Sequence, residues 1–193
     1  RPDNATIFVV GDTTMEEMRP LLEQAFGAWR APSTPAPEKR LAELERPARG
    51  KVIIVDKPGA PQSLILAGNL APPTGAPNNV AITAMNDILG GQFIARVNMN
   101  LREAKGWAYG AYTLLQGARG QRPWLVYAPV QTDKTRESVA ELIKEMNDYK
   151  TSRPATEDEL RRTKLNNIRS LPGAYETSSD VRGSLVSSAR YGR

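Results

Sequence analysis

A change of hydrophobic period at Gly106 constrains this chain more than any other feature. Before the glycine, Phe93, Val97, Leu101 and Ala104 recur at helical spacing; after it, Trp107, Tyr109, Ala111 and Thr113 alternate with Ala108, Gly110, Tyr112 and Leu114. A period near 3.6 residues draws one apolar stripe along a helix, whereas a period of two sends successive side chains to opposite faces of a strand. Glycine is the natural residue at such a junction because it enters left-handed backbone freely. A helix feeding straight into a strand predicts helices layered on a sheet.

The rest of the pattern extends that layer. Residues 5–11 read as a buried strand closed by glycine. A helix follows, opened by a Thr13/Glu16 capping box and striped by Met15, Met18, Leu22, Ala25 and Trp29, with Pro20 predicting a kink or a later start. Residues 31–50 carry Pro32, Pro35, Pro37 and Pro47 and read as an internal connector. Strands are predicted at 52–55 and 64–67 around the Pro58-Gly59 turn, then helices from about residue 78 to Gly90-Gly91 and from Phe93 to Gly106. The glycine pair reads as a left-handed corner that lets two helices pack closely. Residues 123–130 alternate as the hairpin partner of 107–114, and helices follow at 133–149, at 156–171 behind a Thr156/Glu159 capping box, and at 177–190. This order predicts an α+β fold, a largely antiparallel mixed sheet with helices packed on one face. At 193 residues, a single domain over 1–193 buries roughly 70% of its unfolded surface.

Composition narrows the chemistry. Cysteine is absent, which removes disulfides, thiolate zinc sites, iron–sulfur clusters and a thiol nucleophile. Histidine is absent too, which removes the commonest zinc ligand, the commonest general base and every Ser-His-Asp arrangement. No apolar run approaches the roughly 18 residues of a membrane span. The net charge of +5 lies wholly in 161–193, where seven Arg and Lys face only Glu176 and Asp180. Such a segment suits a phosphate or an acidic partner, or is a solvated or packing face; no aromatic platform for bases is interleaved with it. The phosphate-binding glycine loops are missing, which disfavours nucleotides, and so is the G-x-S-x-G elbow. Glu157-Asp158-Glu159 could ligate a divalent metal but also forms the ordinary acidic first turn of a capped helix. The Gly90-Gly91 amides could likewise face an anion.

The stretch 89–112, LGGQFIARVNMNLREAKGWAYGAY, resembles the signature of the second, non-zinc-binding domain of pitrilysin/insulinase-type zinc metallopeptidases. Gly90, Gly91, Phe93, Arg96, Leu101, Arg102, Glu103, Lys105, Gly106, Ala108, Tyr109 and Gly110 match, while Ala95 and Val97 stand where the family commonly has Ser and Leu. Pro2-x-Asn4-Ala5-Thr6, Val10-Gly11-Asp12, Phe26-Gly27-x-Trp29 and Lys57-Pro58-Gly59-Ala60-Pro61-Gln62-Ser63 are similar to further hallmarks in the same order.

The resemblance implies a half-clamshell domain that closes over peptide substrate. Zinc would be held by an H-x-x-E-H motif on a separate N-terminal domain, leaving no zinc site and no catalysis in this chain alone. The partner would be that domain, on the same polypeptide or on another subunit, with homodimers and heterodimers both open and no nucleic acid involved. Arg102 and Tyr109 match an arginine and a tyrosine, seven residues apart, that reach the peptide backbone in active members. A phenol there can hydrogen-bond a carbonyl oxygen as it becomes an oxyanion, and a guanidinium offers fixed donors to peptide carbonyls. Without the resemblance the same two residues read as a surface ion-pair partner and a core tyrosine. A catalytically silent subunit acting in assembly and substrate enclosure is the alternative, and a basic nucleic-acid-binding module a second one. The compartment stays open between bacterial periplasm and cytoplasm, with the periplasm slightly favoured. The Arg1-Pro2 start without a methionine reads as an excised piece whose last helices have partners beyond Arg193.

Overall fold

In a computed structural model, which describes residues 1–192, the elements run in chain order as α1 (Met15–Phe26), β1 (Gln62–Ala71), α2 (Asn79–Asn86), α3 (Arg96–Asn98), β2 (Tyr112–Leu115), β3 (Arg122–Gln131), α4 (Thr135–Lys150), α5 (Glu157–Arg169) and α6 (Ser178–Tyr191). π-helical turns at Asp87–Gly91 and Met99–Ala104 continue α2 and α3. The chain forms two compact units, Ala42–Ile168 and Arg1–Leu41 with Arg169–Arg193.

The first unit holds the sheet, in the order β1-β3-β2 and antiparallel throughout. The predicted hairpin is present, with Tyr112 opposite Tyr127 and Leu115 opposite Trp124. Alternation along β3 buries Val126, Ala128 and Val130 completely, and Leu89, Val97, Leu101 and Leu142 close over them. Helix α4 packs on β1 and β3, while α2 and the first π turn pack on β2. The opposite sheet face leaves Leu64, Leu66, Leu114 and Tyr127 exposed, so the helices of this unit cover one face only. This is the α+β layer the sequence predicts.

Two predicted strands do not form. Residues 5–11 lie in the other unit, without ladder partners and with Ile7 and Val9 half-exposed. Residues 52–55 carry no regular structure and no ladder partner, and are exposed by 87%, 71%, 88% and 85%. β-rich composition describes what a pleated surface accepts, but a strand also needs a neighbour to satisfy its N–H and C=O groups. The 31–50 connector is irregular as expected, and its Leu44 is gripped by Gln121, whose amide accepts from the Leu44 N–H at 2.6 Å and donates to its carbonyl at 3.2 Å. The first capping box falls one residue later than predicted, on Thr14 and Glu17, and α1 runs through Pro20.

The glycines near the site need separate accounts. Gly90 and Gly91 are not the left-handed corner that their pairing suggests, because only Gly59, Gly106 and Gly192 have positive φ among the described residues. Gly90 is instead a close-approach residue: a Cβ there would lie 2.6 Å from Oγ1 and 2.7 Å from the backbone N of Thr113 on β2. Gly106 does take left-handed backbone, at φ 64°, with open space around it. Gly106→Ala should therefore cost about 1–2 kcal/mol through backbone strain alone. Chemical denaturation checks this; a loss below a few tenths of a kcal/mol would remove the argument.

Candidate functional site

The segment from Gln92 to Ala111 carries the site residues. The α3 helix begins at Arg96, not at Phe93, and after Asn98 it widens into the π turn, marked by the Lys105 N–H bonding the Asn100 carbonyl at 3.1 Å. The chain leaves this turn through Gly106, with Trp107 N–H on the Leu101 carbonyl at 2.9 Å. Strand pairing then starts later than the alternation suggests, at Tyr112. Residues 107–111 are irregular, pinned at one end by the Ala108–Val130 bridge and at the other by the Ala111 N–H, which donates to Oδ1 of buried Asn98 at 3.0 Å.

Tyr109 sits on that short span and is 82% exposed, so it is not a core residue. Arg102, on the π turn, places its guanidinium carbon 5.1 Å from the Tyr109 ring centroid and 4.6 Å from that of Phe93. Its Nε also pairs with Glu103 at 3.2 Å. The structure thus brings both sequence-predicted residues together and adds an exposed phenylalanine that periodicity assigns to a helix stripe. A cation against a ring face is attracted by the ring's quadrupole, and a stacked guanidinium keeps its edge N–H groups for other acceptors. Lys105 lies similarly over Trp107, at 5.0 Å, and pairs with Glu141 at 3.3 Å. The Glu141 carboxyl is held below its ordinary range, first by the Asn100 amide.

Behind these residues lies a clamp. Arg96 forks onto Glu159 with bonds of 2.7 Å and 2.6 Å, reaches the carbonyls of Arg153 and Pro154, and stacks on Tyr149 at 4.8 Å. Glu159 also accepts from the Thr156 N–H at 2.8 Å, completing the predicted capping box of α5. The Arg96 hydrogen bonds pull the Glu159 carboxyl down to about 2 and raise Arg96, while burial pushes the Tyr149 phenol up. Charge complementarity to the helix dipole captures only the smaller part of what Glu159 does. The signal that could have found the rest is Arg96, a matched position with no partner obvious in the sequence.

Zinc does not fit the residues present. The chain has no His or Cys, and no three acidic side chains converge among the described residues. Among those residues no helix is long and apolar enough to cross a membrane.

The chain resembles known proteins along most of its length. A family model described as the Peptidase M16 inactive domain matches residues 1–167. An uncharacterized zinc protease of Mycobacterium leprae is 26% identical over 116 residues, 59% of this chain and 25% of the relative. The crystal structure of a peptidase M16 inactive domain from Pseudomonas fluorescens superposes with a TM-score of 0.72 at 24% identity, covering 94% of this chain and 42% of that one. A protease from Helicobacter pylori gives 0.76 at 21%, with 90% and 42% covered. The periplasmic protease PqqL from Escherichia coli gives 0.69 at 18%, with 94% and 20% covered. The chain therefore spans less than half the length of each. With its helix-to-strand junction, its three-stranded sheet and a family match over residues 1–167, this chain belongs to the Peptidase M16 inactive domain family.

Proposed function

We propose that this chain is the substrate-enclosing half of a zinc-dependent endopeptidase or processing peptidase, and that Arg102 and Tyr109 are its contacts to the peptide backbone. One observation carries the reading: an arginine is stacked on a tyrosine that is 82% exposed. A phenol held in place yet open to solvent suits a donor awaiting an acceptor better than a packing residue. Zinc is proposed to sit on the N-terminal domain, in the same polypeptide or in a partner subunit, since this chain has no His or Cys and its described residues form no acidic cluster that could hold it. Support comes from the M. leprae zinc protease, which this chain matches over a quarter of its length, and the periplasmic neighbour favours the periplasm.

On this reading Arg102 grips peptide carbonyls with two N–H groups at once, and Tyr109 donates to the scissile carbonyl oxygen as charge gathers on it. Arg102→Lys in the full-length protein keeps the charge and loses the fork. KM for a cleaved peptide is expected to rise about tenfold with kcat within about threefold. An unchanged KM would return Arg102 to its ion pair with Glu103, and a full-length protein that cleaves no peptide would favour a catalytically silent subunit.

A further inference from the structure

Arg102 touches two rings, and the family's arginine–tyrosine pair accounts for only one. The second, Phe93, is the nearer, at 4.6 Å against 5.1 Å for Tyr109. It is 53% exposed, so core burial does not explain its position. Its backbone is fixed instead. The Phe93 carbonyl accepts from Nδ2 of Asn98 at 2.6 Å, while Oδ1 of the same amide accepts from the Ala111 N–H at 3.0 Å. Asn98 is fully buried, and both ends of its amide are used. One side chain therefore sets the spacing between the segment carrying Phe93 and the segment carrying Tyr109, two residues before Ala111. Between them lies the guanidinium, on a long stem that in water would sample many rotamers.

We infer that Phe93 is a positioning residue of the substrate-contact site: spaced from Tyr109 by the buried Asn98 amide, its ring holds the Arg102 guanidinium in one orientation for peptide carbonyls. The inference rests on the reading of Arg102 as a substrate contact. Phe93 acts through Arg102 by a cation–π contact, and no bond is made or broken at it.

The experiment uses the full-length protein and a quenched decapeptide that it cleaves. Phe93→Leu keeps apolar bulk and removes the ring, so KM should rise about three- to tenfold while kcat and melting temperature stay close to the parent's. Phe93→Trp, with the strongest cation–π face, should restore KM. In an Arg102→Gln background, which raises KM by itself, Phe93→Leu should add nothing, because the partner it acts on has gone. If Arg102→Gln leaves KM unchanged, the substrate-contact reading and this inference fall together. If Arg102→Gln raises KM but Phe93→Leu does not, or multiplies KM equally in both backgrounds, only the role of Phe93 is overturned. Should Phe93→Leu melt well below the parent, Phe93→Met against Phe93→Trp is read by the same criteria.

Discussion

Tyr109→Phe in the full-length protein is expected to lower kcat by on the order of 10²–10³ and to leave stability almost untouched. The two halves of that result come from different places. Stability should hold because Tyr109 is 82% exposed and Arg102 rests on its ring, which the substitution keeps. The rate should fall because one preorganised donor aimed at a developing oxyanion typically contributes that factor. The measurement is kcat at saturating peptide, with the melting temperature checked in parallel. A kcat within about twofold of the parent would remove the hydroxyl from the reaction, leaving Tyr109 as a ring against which Arg102 rests.

The largest stability effect is expected at the Arg96–Glu159 clamp. Arg96→Met leaves the Glu159 carboxylate, only 19% exposed at its side chain, without the cation that compensates it. Breaking one side of such a pair costs about 3–5 kcal/mol. The intact pair also gives stability a definite acid dependence. The Glu159 carboxyl sits at about 2, against 4.5 for an ordinary glutamate. Between those values the unfolded chain binds the proton and the folded chain does not, so the contribution is complete above about pH 4.5 and disappears as pH falls toward 2. Unfolding free energies measured across that window should decline in the parent and lose that part of the slope in Arg96→Met. Equal slopes in the two proteins would show that Glu159 gains little from Arg96.

Reading the sequence alone succeeds where the cause is local and fails where it is a neighbour. The turn at Gly59, the stop at Gly106 and the Thr156/Glu159 cap follow from backbone preference and period and are present, and the hairpin predicted for 107–114 with 123–130 forms with its first strand shortened to 112–115. The strands expected at 5–11 and 52–55 have equally good local credentials, yet pairing is a long-range condition that composition does not encode. Gly90 illustrates the same limit. Its glycine identity is plain in the sequence, but the reason for it is Thr113 on another element, 23 positions away. At the site, the family resemblance points to Arg102 and Tyr109, and the structure puts them in contact. Phe93 was hidden by its place in a helical stripe that in fact begins at Arg96, and Asn98 by being a buried amide in a pattern read for apolar residues.

The unpaired run at 52–55 has a consequence for the chain as a colloid. Four consecutive exposed β-branched side chains, with no proline among them, are the composition from which intermolecular sheets nucleate. Here the run is bracketed by Lys51 on one side and by Asp56, Lys57 and Pro58 on the other. In a parallel, in-register copy Lys51 would face Lys51 and Asp56 would face Asp56, like charges that repel, and a proline denies any copy one backbone donor. The sticky stretch and its gatekeepers are thus contiguous in the sequence, so the emerging chain carries its protection against edge-to-edge association from the moment residue 58 is added, before β1 or β3 has been made.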